Sequence, residues 1–117
     1  MESRDKTILR KITDEISIAL KMMSHCTLEE FTQNEVLKRA ICMTVINIGE
    51  LVKNLSSSFR LSYREIPWKE IAGFRDIAAH KYQTLRIEDV YETVTIDFPD
   101  LYDKITDILL NGETRQG

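Results

Sequence analysis

Helical periodicity runs through nearly the whole chain and leaves little room for another fold class. In the first segment Ile8, Ile12, Ile16, Ala19, Leu20 and Met23 recur at steps of three and four, which predicts an amphipathic helix to about Met23. A second stripe of Leu37, Ala40, Ile41, Thr44, Val45, Ile48, Leu51, Val52 and Leu55 predicts a long helix from about Gln33 to Ser56. Thr27-Leu28-Glu29-Glu30 and Thr32-Gln33-Asn34-Glu35 both have the Thr-x-x-Glu capping form, marking a short turn and then that helix. Gly49 interrupts the stripe at its middle. A mid-helix glycine costs about 1 kcal/mol relative to alanine, so it predicts another backbone crossing close by.

After Ser56-Ser57-Ser58, Pro67 fits the first position of a third helix, with Trp68, Ile71, Ala72, Arg75, Ala79 and Tyr82 along one side. That helix is expected to fray near His80 to Tyr82. A fourth covers roughly Ile87 to Asp97, Pro99 opens or kinks a last one through Leu101, Ile105, Ile108 and Leu109, and Asn111-Gly112 ends it. No segment alternates convincingly with a period of two. The expected fold is all-α: an antiparallel helical bundle of four long helices plus short helical pieces, with residues 1–117 as a single domain. A domain of this size buries about two-thirds of its unfolded surface, so a homodimer is the natural way to cover a leftover apolar stripe.

Composition narrows the function classes. At 43% apolar and 30% charged residues the chain is ordinary globular material. No run approaches the roughly 20 apolar residues that span a bilayer, and the charged N-terminus is followed by no apolar signal region, so a cytoplasmic location is expected. Cys26 and Cys42 lack CxxC spacing and read as reduced thiols. The adjacent His25-Cys26, with no second cluster, makes a poor zinc site, and no metal or other cofactor is expected. The net charge of -3 argues against a generic nucleic-acid coat, yet residues 60–86 carry +3 against -6 for the remainder, which leaves room for a local anion site.

Within that basic stretch, Arg75-Asp76-Ile77-Ala78-Ala79-His80-Lys81-Tyr82 gathers a fixed cation, a group titrating near neutral pH and a phenol. Asp76 and His80 fall one turn apart on the same face, where the carboxylate is expected to fix the imidazole tautomer and favour its charged form. Cleaving RNA without a metal needs a base for the 2′-hydroxyl proton, an acid for the leaving 5′-oxygen and cations for the charge on phosphorus. Arg75 and His80 can supply these. One histidine serves poorly as base and acid at once, so the chemistry itself predicts a dimer with two copies of the motif.

The chain from about Ile41 to Ile105 resembles the HEPN superfamily, specifically its HepT-like toxin branch, whose mark R-x-x-x-x-H-x-Y reads here Arg75, His80 and Tyr82. Ile48-Gly49-Glu50, Ile66-Pro67-Trp68 and Asp97-Phe98-Pro99-Asp100-Leu101 resemble the same branch. The resemblance implies a metal-independent endoribonuclease toxin, with Arg75 and His80 catalytic, partnered by a minimal nucleotidyltransferase (MNT) antitoxin that attaches AMP to Tyr82. The residue after the arginine, often Asn in the family, is Asp76, and an acid there weakens a cationic site.

Other side chains carry weaker expectations. Trp68 shares a stripe with Ile71 and Ala72 and is expected to be a packing anchor. Glu50 is a candidate to pair with or orient Arg75. Lys81, Lys69 and Arg86 are candidate RNA phosphate contacts, with a solubilising surface as the plainer reading. The rival to the enzyme is a non-catalytic HEPN binding module that uses the same helix to partner a nucleotidyltransferase.

Overall fold

The computed structural model describes residues 1–112, and these form helices joined by short turns, without a strand. The elements are α1 (Ser3–Met22), α2 (Leu28–Gln33), α3 (Glu35–Lys53), α4 (Ser57–Ser62), α5 (Trp68–His80), a 3₁₀ turn (Tyr82–Thr84), α6 (Ile87–Glu92), a π turn (Thr93–Asp97) and α7 (Phe98–Asn111). α3 is the axis of the molecule, packed against α1 on one side and α5 on another, while α1 also packs on α7. The expected stripes meet there. Leu9, Ile12 and Ile16 of α1, Ile41, Ile48 and Val52 of α3, and Val90, Val94 and Ile105 of the last helices are fully buried.

The helix boundaries follow local chemistry. Thr27 closes the expected capping box with Glu30, its hydroxyl accepting from the Glu30 N–H while the Glu30 carboxylate accepts from the Thr27 N–H. The second capping form does not act as expected. Thr32 lies inside α2 and donates to the Leu28 carbonyl, and α3 is capped instead by Asn34, whose side chain accepts from the Leu37 N–H. Asn34 ends α2 and starts α3 at once.

Ile87 to Asn111 is one continuous helical rod rather than two helices parted at Pro99. Pro99 offers no N–H to the Thr95 carbonyl and its ring crowds that group, and the π turn widens the backbone at this point. Gly112 ends α7 with ordinary right-handed angles rather than a left-handed cap. The left-handed residue lies elsewhere: His25, at φ 60, reverses the chain between α1 and α2.

α5 is the least buried long helix, with Trp68 and Ala78 as its fully buried residues; Ala79, expected on the inner side, is exposed. Trp68 anchors its start. The indole is 5% exposed, donates to the Tyr63 carbonyl at 3.0 Å and lies 5.8 Å from the Phe59 ring. Asp5, inside the charged N-terminal segment, is a second anchor, 2% exposed and accepting from both the N–H and the hydroxyl of Ser56, the residue that caps α4. Cys26 and Cys42 are free thiols. Among the described residues, no helix is long and apolar enough to cross a membrane.

Candidate functional site

Gly49 sets the site's geometry. A β carbon built on it would overlap the Arg75 β carbon and stand 2.6 Å from Arg75 Cγ and 3.4 Å from Arg75 Cα. The crossing backbone expected from this glycine is therefore α5, and it crosses at Arg75. With α5 lying in that notch, the guanidinium runs along α3 and meets the residue after the glycine: Arg75 Nη2 donates to Glu50 at 3.0 Å. Nη1 donates to Asp76 at 3.1 Å, and Lys53, one turn beyond Glu50, donates to the same Asp76 oxygen at 2.6 Å. Hydrogen bonds from Lys53 first and Arg75 second hold the Asp76 carboxyl below the usual aspartate range.

Glu50, Arg75, Asp76 and Lys53 thus form a four-charge array of zero net charge. Arg75 is its most enclosed member, with a side chain 21% exposed, and its Nε is buried without a partner among the described residues. The local positive balance of the sequence does not gather here, because both cations of the array are matched by carboxylates. Asp76 points its charge at Lys53 and Arg75, and no hydrogen bond among the described residues joins it to His80, as the one-turn spacing had suggested.

His80 is the last residue of α5 and is exposed. It lies five residues beyond Arg75, or about 7.5 Å along the helix axis. α5 stops there and the 3₁₀ turn throws Tyr82 back onto the first turn of α3, where its hydroxyl donates to Glu35 at 2.9 Å and its ring lies 5.0 Å beneath the Arg39 guanidinium. Burial, and then the hydrogen bond to Glu35, push the Tyr82 phenol above its ordinary range.

The three candidate phosphate contacts are not brought together. Lys69 lies in the first turn of α5, Lys81 follows its end, and Arg86 precedes α6 with a loose 3.8 Å pairing to Asp89; all three are exposed. Sequence reasoning missed Lys53, Glu35 and Arg39. The available signal was charge spacing on α3: Glu50 and Lys53 at i, i+3 beside the glycine, and Glu35, Lys38 and Arg39 at its start. No group of three His, Cys, Asp or Glu side chains suited to a metal ion occurs among the described residues.

A helical bundle whose motif helix carries the arginine and histidine of R-x-x-x-x-H-x-Y is the arrangement expected from the resemblance to the HEPN superfamily. A family model described as "Ribonuclease HepT-like" matches residues 12–108, and the chain belongs to that family. It is 35% identical over 101 residues to "Putative RNase TTE0752" of Caldanaerobacter subterraneus, covering 86% of this chain and 90% of that one. It is 30% identical over 116 residues to "Putative RNase MJ0125" of Methanocaldococcus jannaschii, covering 98% and 100% of the two chains. It is 29% identical over 104 residues to "Probable ribonuclease HepT" of Thermococcus cleftensis, covering 89% and 94%. No solved structure matches the chain.

Proposed function

We propose that this protein is a metal-independent endoribonuclease toxin that acts in the cytoplasm as a homodimer, held in check by an MNT antitoxin that attaches AMP to Tyr82. Membership of the HepT-like ribonuclease family supports RNA cleavage. The observation that carries the assignment of the site is the position of Arg75, locked against Gly49 and held by Glu50, on the helix that ends in an exposed His80.

In the reaction the 2′-oxygen attacks the neighbouring phosphorus and the 5′-oxygen leaves, giving a 2′,3′-cyclic phosphate and a 5′-hydroxyl. Neutral His80 takes the 2′ proton, and protonated His80 of a second copy delivers one to the 5′-oxygen. Arg75 balances the charge that builds on the phosphoryl oxygens. Two of its nitrogens are occupied by Glu50 and Asp76, the positions two phosphoryl oxygens would take, so RNA entry exchanges carboxylates for phosphate. Ile77, beside Asp76 and 48% exposed, gives a second copy an apolar contact next to the motif. Lys69, Lys81 and Arg86 then guide the RNA strand rather than hold the scissile phosphate.

Growth arrest on expression of the wild-type chain, relieved by His80→Ala, together with cyclic phosphate ends on the cut RNA, is the expected result. Arrest that persists unchanged in His80→Ala removes His80 from the mechanism. The closed charge array favours one other reading, a binding module that presents Tyr82 to a nucleotidyltransferase. That module forms the complex and leaves RNA intact.

A further inference from the structure

We infer that Glu35 and Arg39 complete a nucleotide-acceptor site around Tyr82, with Glu35 receiving the phenolic proton and Arg39 holding the phosphodiester that forms. The inference rests on the reading of Tyr82 as the acceptor of AMP and adds the two residues of α3 that make its oxygen reactive. The geometry is convergent. Glu35 Oε2 accepts from the Tyr82 hydroxyl at 2.9 Å and from Arg39 Nε at 2.8 Å, while Lys38 stands 3.3 Å from the other carboxylate oxygen. Arg39 also covers the Tyr82 ring at 5.0 Å.

The chemistry follows from these contacts. A neutral phenol is a weak nucleophile and needs a base within hydrogen-bond reach. Burial and then Glu35 push the Tyr82 ionisation up, and the Tyr82 hydrogen bond and then that of Lys38 hold Glu35 low, so the pair rests as phenol and carboxylate and the proton crosses only as the bond to phosphorus forms. The base is already in contact with the nucleophile. With a nucleoside triphosphate brought by the partner enzyme, the Tyr82 oxygen forms a bond to the α-phosphorus, the bond from that phosphorus to the β-bridging oxygen breaks, pyrophosphate leaves, and the proton passes to Glu35. Glu35 becomes neutral and releases its claim on Arg39 as a phosphodiester of charge -1 appears on Tyr82. Arg39 exchanges one anion for the other, which keeps the product docked on α3. The other ionisable groups around the phenol are Lys38, Cys42, whose thiol burial pushes up, and Lys81 beside it in the chain.

The test uses the whole protein and fluorosulfonylbenzoyl adenosine, an adenosine carrying a sulfonyl fluoride that phenols attack with loss of fluoride. Peptide mass spectrometry should find Tyr82 labelled faster than Tyr63, Tyr91 or Tyr102, at a rate flat through neutral pH. Glu35→Gln should slow that labelling at least about tenfold and make it climb about tenfold per pH unit, as expected when hydroxide replaces the base. Glu35→Asp should restore part of the rate, and Tyr82→Phe should remove the adduct. Labelling of Glu35→Gln at the wild-type rate with the wild-type pH profile overturns the inference, and so does a Tyr82 no faster than the other tyrosines. The acceptor reading is checked separately, by intact mass of the chain recovered with its nucleotidyltransferase. A missing adenylyl adduct there, with Glu35-dependent labelling intact, refutes AMP transfer and leaves the reactive phenol standing.

Discussion

Replacing Gly49 by alanine tests how Arg75 is positioned. The new methyl would stand 2.6 Å from Arg75 Cγ, roughly 1 Å inside carbon contact distance, and 3.4 Å from the Arg75 α carbon, so the backbone of α5 has to retreat. Overpacking of this kind costs about 1–3 kcal/mol, and the helix preference of alanine returns about 1 kcal/mol. The net loss of up to about 2 kcal/mol lowers Tm by up to roughly 8 °C in a chain of this length. The larger effect is on activity, because a shift of about 1 Å at a catalytic cation costs on the order of a hundredfold in rate. Thermal melting and initial rates on a labelled RNA read the two effects. Gly73 is the internal control: a β carbon there meets nothing within 4 Å, so Gly73→Ala should raise Tm by up to about 4 °C. Wild-type activity and melting in Gly49→Ala would refute the close crossing as the device that positions Arg75.

Three further substitutions probe the rest of the account. Asp76→Asn removes one of the two carboxylates on Arg75 and should tighten RNA binding about threefold to tenfold, measured by fluorescence anisotropy in a His80→Ala background; weaker binding would contradict the neutral-array reading. Because the folded Asp76 carboxyl titrates below its ordinary range, its contribution to stability is present above about pH 4 and is lost as pH falls through the lowered value. Asp5→Ala strands two donors of Ser56 and should cost about 2–4 kcal/mol, a fall in Tm of roughly 8–16 °C, with Asp5→Asn in between. His25→Gly relieves a left-handed residue and should raise Tm by about 2–4 °C in a melting scan.

The helices were legible because each buries a stripe whose spacing is visible in one dimension, and Gly49 was legible because glycine in the middle of such a stripe needs a reason. The boundaries that went astray were decided by competition among neighbours. Thr32 and Asn34 both offer caps, and the asparagine two residues on takes the role once α2 has run through Thr32. Pro99 signals an interruption, but a π turn accommodates it without breaking the rod. Around the site, the motif helix named Arg75, Asp76, His80 and Tyr82, whereas Lys53 and Glu35 reach it from 23 and 47 residues away. Their charges look like ordinary solvated faces until α5 and the 3₁₀ turn are laid on α3. For the same reason the Asp76–His80 pairing failed to form: helix periodicity placed them together, and Lys53, from another helix, took the carboxylate.

The most direct test of the central claim is cleavage of total cellular RNA in EDTA by wild-type, Arg75→Ala and His80→Ala proteins, each first shown to fold and to sediment as a dimer. Cutting by the wild type, with loss in both variants, is the predicted result. Equal cutting by all three forms, or none by a wild type shown by mass to carry nothing on Tyr82, would contradict a ribonuclease centred on Arg75 and His80.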